Sequence, residues 1–180
     1  VHMQYKTREI LSGLGFTEIV AFTLVSDEWH YKSMRQKGKP VELLNPVSTE
    51  FNIFRDSLLP GLLKVLQKNK PISLPQKIFE VGDISRINEQ LETKVSREIF
   101  LSGAIIHPKM DFVEIKSNIE AILRALDIVD YKLAHADHPS FFSGRCAKIM
   151  VAGKKVGLFR EIHPEVLNNF ELENPVGAFE

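Results

Sequence analysis

Residues 99–106 read Ile-Phe-Leu-Ser-Gly-Ala-Ile-Ile, an almost unbroken apolar run. A strand so apolar on both sides predicts a place in the middle of a sheet rather than at its rim. Its partner in sequence is residues 77–84, joined to it by a polar loop, so the two predict a hairpin. A second hairpin is predicted for residues 145–151 and 155–161, which alternate apolar and polar about Gly153.

The remaining periodicities fill in around these strands. Residues 5–14 predict a helix stopped by Gly13 and Gly15, and residues 16–25 predict one strand with Val20, Phe22 and Leu24 on one side. Ser26, Asp27 and Glu28 cap a short helix to about Arg35, and residues 41–44 form a short strand. Residues 58–69 form an amphipathic helix with Leu59, Leu62, Leu63 and Leu66 inward, capped by Asp56 or Ser57, with Pro60 in its first turn. Residues 112–126 carry a helical stripe of Phe112, Ile115, Ile119, Ile122, Leu123 and Leu126 behind an Asp111/Glu114 capping pair. His163-Pro164 opens a short helix to Phe170, and residues 176–180 start a last strand. Hairpins outnumber βαβ units. The expected fold is α+β, a mainly antiparallel sheet with helices on one face, in a single module spanning residues 1–180.

Composition limits the function classes. The 180 residues carry 23 Lys plus Arg and 23 Asp plus Glu, so the formal net charge is zero and no long-range field gathers nucleic acid. No apolar run is long enough to span a bilayer, and residues 1–6 lack the apolar stretch of a signal peptide. One cysteine, Cys146, excludes an internal disulfide and a multi-cysteine metal site and fits a reducing cytoplasm. Val1-His2-Met3 reads as an addition before a natural start near Met3 or Gln4, and the stop inside a strand at Glu180 marks a piece of a longer subunit.

Little chemistry is written in the residues. Neither a GxGxxG nor a GxxxxGK[ST] loop is present, and none of the six histidines pairs as HExxH. His135 and His138 with Asp137 are a metal candidate without the spacing of a known ligand set, and a polar loop before Pro139 explains them. Ser57 is explained as a cap. Cys146 sits in an alternating strand where a buried thiol simply packs. Lys64, Lys68, Lys70 and Lys77 make a basic stretch that either contacts RNA or is a solvated helix end; no aromatic residue interleaves it. No catalytic, cofactor-binding or metal residue is therefore expected.

Several segments together resemble one family. Leu44-Asn45-Pro46-Val47-Ser48 followed by Phe54-Arg55-Asp56-Ser57-Leu58-Leu59-Pro60-Gly61-Leu62-Leu63 is similar to a signature of phenylalanyl-tRNA synthetase β chains. So are Ile78-Phe79-Glu80-Val81-Gly82-Asp83-Ile84, Ser143-Gly144-Arg145-Cys146-Ala147, and Glu161-Ile162-His163-Pro164-Glu165-Val166-Leu167. The landmarks fall in family order over nearly the whole chain and look closer to the archaeal and eukaryotic branch.

The resemblance implies a class II synthetase fold and roles by position. Residues 5–25 resemble motif 1, which builds subunit interfaces, although its usual proline has no counterpart near Phe22. This points to Ile10, Leu11, Leu14, Phe16, Val20, Phe22 and Leu24 as interface residues, and to self-association of the isolated chain through residues 5–24. Residues 78–84 and 176–180 occupy the places of motifs 2 and 3, where active relatives carry arginines for ATP. Here those strands offer Glu80, Asp83 and Glu180, with Arg86 just beyond. The implied module keeps the fold, does no chemistry alone, and pairs with a catalytic α subunit in an α2β2 enzyme that uses ATP and Mg2+ and charges tRNA with phenylalanine. Arg55 is expected to pair with Asp56 or Glu80 rather than to remain as a ligand-binding arginine. Two other readings stand beside this one: an independent class II-fold enzyme or regulator binding ATP or an amino acid, and a tRNA-contacting module using residues 64–77.

Overall fold

Helix α1, His2–Gly13, turns Leu11 and Thr7 inward and ends at Gly15, which has φ +82°. Strand β1, Thr17–Glu18, and strand β2, Leu24–Val25, replace the single strand expected over residues 16–25. The reason is a change of partner. The chain runs parallel to the fifth strand at Thr17 and Glu18, then crosses to a second sheet, leaving Val20 and Phe22 exposed between the two. A single π-helical turn, Glu28–Lys32, follows with the Ser26 hydroxyl accepting from the Glu28 N–H at 3.2 Å. It stops before Arg35, whose φ of 55° breaks the helical path.

Strands β3, Val41–Glu42, and β4, Ile53–Phe54, complete the small sheet in the order β2-β4-β3. Helix α2, Leu59–Lys68, then leads to β5, Gln76–Ile87, and β6, Val95–Ile106, which pair in register along their whole length. Helix α3, Phe112–Ala125, is capped as expected by the Asp111 carboxylate, which accepts from the Glu114 N–H at 2.8 Å. Strand β7, Tyr131–His135, had no signal strong enough to stand out from its polar neighbours. Strands β8, Phe141–Val151, and β9, Lys154–Ile162, turn through Ala152 and Gly153, both with positive φ. Helix α4, Pro164–Asn169, and strand β10, Val176–Phe179, close the fold. The structure, a computed structural model, describes residues 2–136 and 141–180, and for residues 141–145 the backbone.

The main sheet runs β1-β5-β6-β10-β9-β8-β7. All its pairings are antiparallel except β1 with β5. The run 99–106 thus supplies a strand flanked on both sides, and residues 102–106 are buried. The helices cover both faces rather than the one expected. Strand alternation sends Ile78, Ala104 and Ala178 toward α2 and α4, and their neighbours Phe79, Ile105 and Phe179 toward α1 and α3. Leu62 of α2 has no exposed surface. Leu62→Ala is expected to cost about 2–5 kcal/mol, read from urea unfolding.

Candidate functional site

The alternation that aims Ile78 at α2 also aims Glu80 there, and the register places Glu80 opposite Ser102 on β6. The strands standing in for motifs 2 and 3 therefore share one sheet face, and a carboxylate faces α2 from each. Neither carboxylate is free to receive a ligand.

Glu80 is held by Arg55, which follows β4. Arg55 Nη2 donates to Glu80 Oε1 at 2.7 Å, with the two side chains 4% and 2% exposed. Arg55 Nε donates to the Asp83 carbonyl at 2.9 Å and Nη1 to the Ala21 carbonyl at 3.4 Å. The Ser85 N–H donates to the Arg55 carbonyl at 2.9 Å, so this one residue fastens the small sheet to the edge of β5. Gly82 makes room for it: a Cβ there would stand 2.5 Å from Arg55 Nη2 and 2.8 Å from Glu80 Oε1. Asp83 lies on the opposite face and pairs with Arg97 at 2.5 Å.

Glu180 caps α2 from across the molecule. Its Oε1 accepts from the Leu58 N–H at 2.6 Å and its Oε2 from the Ser57 hydroxyl at 2.8 Å. Asp56 and Ser57 were expected to cap this helix themselves; instead Leu58 stands at the N-cap without a side-chain bond, and Glu180 supplies the negative charge the helix N-terminus favours. Arg160 is buried on the same face, its strand register placing it between Ala178 and Cys146, residues small enough to admit it. Burial pulls its guanidinium down to about 9 while Glu180 raises it, so it stays charged near neutrality.

Asp56 serves a third buried knot. Its Oδ1 meets His30 Nε2 at 2.7 Å, and its Oδ2 accepts from the Tyr31 hydroxyl at 2.8 Å. Burial pushes the Asp56 carboxyl up, but the bonds from His30 and Tyr31 and the nearby Arg86 charge prevail and hold it below the ordinary carboxylate range. Burial, then the bond to Asp56, raises the Tyr31 phenol. A depressed carboxyl stabilises the fold above its unfolded pKa, and that stabilisation is lost as pH falls through the folded value. Acid unfolding in the carboxylate range is therefore expected to be less steep in Asp56→Asn than in the wild type, read by circular dichroism across pH. Arg86 does not reach in beside Glu80: its Nη2 donates to the Asp56 carbonyl at 3.3 Å, its Nη1 lies 3.8 Å from Glu98, and it rests 4.8 Å from the Phe100 ring.

The other expected residues scatter. Asn45 and Pro46 are exposed in the loop after β3. Glu161 is buried opposite Gly177, on the α3 side of the sheet. His163 Nδ1 accepts from the Glu165 N–H and caps α4, which begins at Pro164. Gly144 and Arg145 lie in β8 with side chains outside the described residues, and Asp137 and His138 lie outside them altogether. Among the described residues no group of three or more His, Cys, Asp or Glu is placed to hold a metal.

Of the interface set, Leu11 and Phe16 belong to the chain's own core, with Ile10 and Leu14 packed against it. That is a correction: α1 spends its apolar face on α3 and β5. Leu24 is partly buried, while Val20 and Phe22 remain 88% and 78% exposed. The basic stretch is also divided. Lys77 pairs with Glu114 of α3 and lies over Phe16, whereas Lys70 pairs with Glu171 beyond α4. Arg160 and His30 went unnoticed in the sequence because each sits in an ordinary apolar segment; a charge flanked by core residues on an alternating strand was the available signal.

Residues 2–180 match the family described as phenylalanyl tRNA synthetase beta chain CLM domain. The chain is similar to the phenylalanine–tRNA ligase beta subunit of Methanocaldococcus jannaschii, 48% identical over 174 residues, with 96% of this chain and 32% of that one covered. The corresponding subunit of Archaeoglobus fulgidus is 44% identical over 177 residues, covering 96% and 31%. The chain thus spans about a third of the length of these curated relatives. In fold it resembles the pyrrolysyl-tRNA synthetase of Desulfitobacterium hafniense, with a TM-score of 0.80 at 16% identity over 99% of this chain and 64% of that one.

Proposed function

The chain belongs to the phenylalanyl-tRNA synthetase beta chain CLM domain family, and on that premise we propose that it is a non-catalytic core module. It assembles with the catalytic α subunit in an α2β2 enzyme and so supports attachment of phenylalanine to tRNA. ATP and Mg2+ belong to the whole enzyme's chemistry, and this module takes neither. Its compartment is the cytoplasm; among the described residues no helix is long and apolar enough to cross a membrane.

The observation that carries this reading is the occupancy of the α2-facing surface by the chain's own groups. Glu180, in the strand standing in for motif 3, is consumed by the N-terminus of α2, and Glu80, in the one standing in for motif 2, is consumed by Arg55. Both carboxylates would repel a triphosphate, and the arginines nearby are already committed. A tRNA-contacting role for residues 64–77 is less favoured, because Lys77 faces α3 while Lys64 and Lys68 line α2.

Isothermal titration of the isolated chain with ATP and Mg2+, or with phenylalanine, is expected to give no heat of binding at micromolar concentrations. Micromolar binding of either would make it an enzyme or a ligand-sensing regulator. Co-expression with the catalytic subunit is expected to yield a stable complex, and charging activity is expected only when the whole β chain is present. Alone, the module is expected to self-associate through Val20 and Phe22, and a monomeric sedimentation profile at high concentration would count against that.

A further inference from the structure

A groove of about 940 Å³ runs between residues 20–29, residues 49–52 and the outer side of α2. Its apolar lining includes Val20, Phe22 and Phe51, with Phe22 packed edge-on against Phe51 at 5.8 Å. Exposed large apolar side chains gathered in a groove mark a contact surface. The groove is also electrically divided. Lys64 and Lys68, one helical turn apart, stand on the α2 wall, and Glu28 and Glu50 stand on the opposite side. None of these four closes a salt bridge among the described residues, whereas Lys70 and Lys77 beyond them do.

We infer that this groove seats a segment of the catalytic subunit with an apolar anchor toward Phe22 and Phe51, carboxylates turned to α2, and cations turned to Glu28 and Glu50. The inference rests on the assembly proposed above and adds the place and the chemistry of the contact. Its carrier is charge complementarity. Two walls of opposite sign suit a peptide segment that presents both signs in a fixed orientation. A nucleic-acid backbone, with one sign only, would meet Glu28 and Glu50 as it met the lysines. Phe22 supplies the kind of large anchor that dominates interface energetics.

The test uses the full β chain co-expressed with the catalytic subunit, with affinity measured between the purified subunits. Phe22→Asp is expected to weaken assembly about thirtyfold or more. The double variant Lys64→Glu/Lys68→Glu is expected to slow association about tenfold at low salt, with the difference shrinking as salt rises and the dissociation rate little changed. Because Phe22 is 78% exposed, the unfolding midpoint of Phe22→Asp should match the wild type, which separates lost docking from lost folding. If the wild-type subunits assemble and both variants assemble equally well, the groove inference is overturned and the assembly reading stands. If the wild-type subunits do not assemble, the assembly reading itself falls. Self-association lost without loss of assembly would hand the groove to a second copy, and tRNA affinity lost without loss of assembly would hand it to RNA; either overturns the inference.

Discussion

Glu80→Ala should destabilise the fold by about 3–5 kcal/mol, because it strands the Arg55 charge in a site where that side chain is 4% exposed. The cost comes from abandonment, not from the attraction lost. A buried pair repays its desolvation only with good geometry, so removing both charges is a different experiment from removing one. The double variant Arg55→Met/Glu80→Leu is expected to recover most of the loss, leaving a deficit of about 1–2 kcal/mol from the Arg55 bonds to the Asp83 and Ala21 carbonyls. Urea unfolding of the four members of the cycle gives the coupling directly. A single-variant cost below about 1 kcal/mol would mean that water reaches the pair, and the account of how the small sheet is fastened would fail.

Glu180→Ala carries the second large effect. It removes two hydrogen bonds to a carboxylate and the charge that opposes the α2 dipole, and it deprives buried Arg160 of its counter-charge. Together these are expected to cost about 3 kcal/mol, a fall of about 6–12 °C in the melting temperature for a domain of this size. Glu180→Gln keeps an acceptor without the charge, so it isolates the electrostatic share. Ser57→Ala loses one bond only, at about 1 kcal/mol. If Glu180→Gln melted like the wild type, the dipole and the Arg160 charge would be irrelevant to the cap.

The sequence was readable where the period was long and uninterrupted. α3 shows its stripe and its Asp111 cap in plain view, and the β5–β6 and β8–β9 hairpins follow from alternation about polar turns. What local pattern could not show is choice of partner. Residues 16–25 have the composition of one strand, yet Thr17 and Leu24 pair in different sheets, a decision made by Ile78 and Phe54 far along the chain. The α2 cap was misassigned for the same reason: Asp56 and Ser57 are near in sequence, while the carboxylate that does the capping lies 122 residues from Leu58. The sign of the charges on the motif-like strands was legible, but not that Asp83 faces away and Arg86 is turned aside toward Asp56. The α1 residues expected at an interface failed because apolarity alone does not say which apolar surface a helix will meet first.

Strand order has a consequence for synthesis. β10, Val176–Phe179, is the last strand made and lies between β6 and β9 in the sheet. Until it leaves the ribosome, the nascent chain holds two half-sheets, each with an unpaired inner edge. They are joined only by α3 and the chain around it, and β6 cannot be closed by any earlier strand. The late fastening of α2 by Glu180 falls in the same moment. This order of events makes the nascent module a client for whatever shields open strand edges during translation, and a growing chain stalled before residue 176 should be far more prone to aggregation than one stalled a few dozen residues after 180.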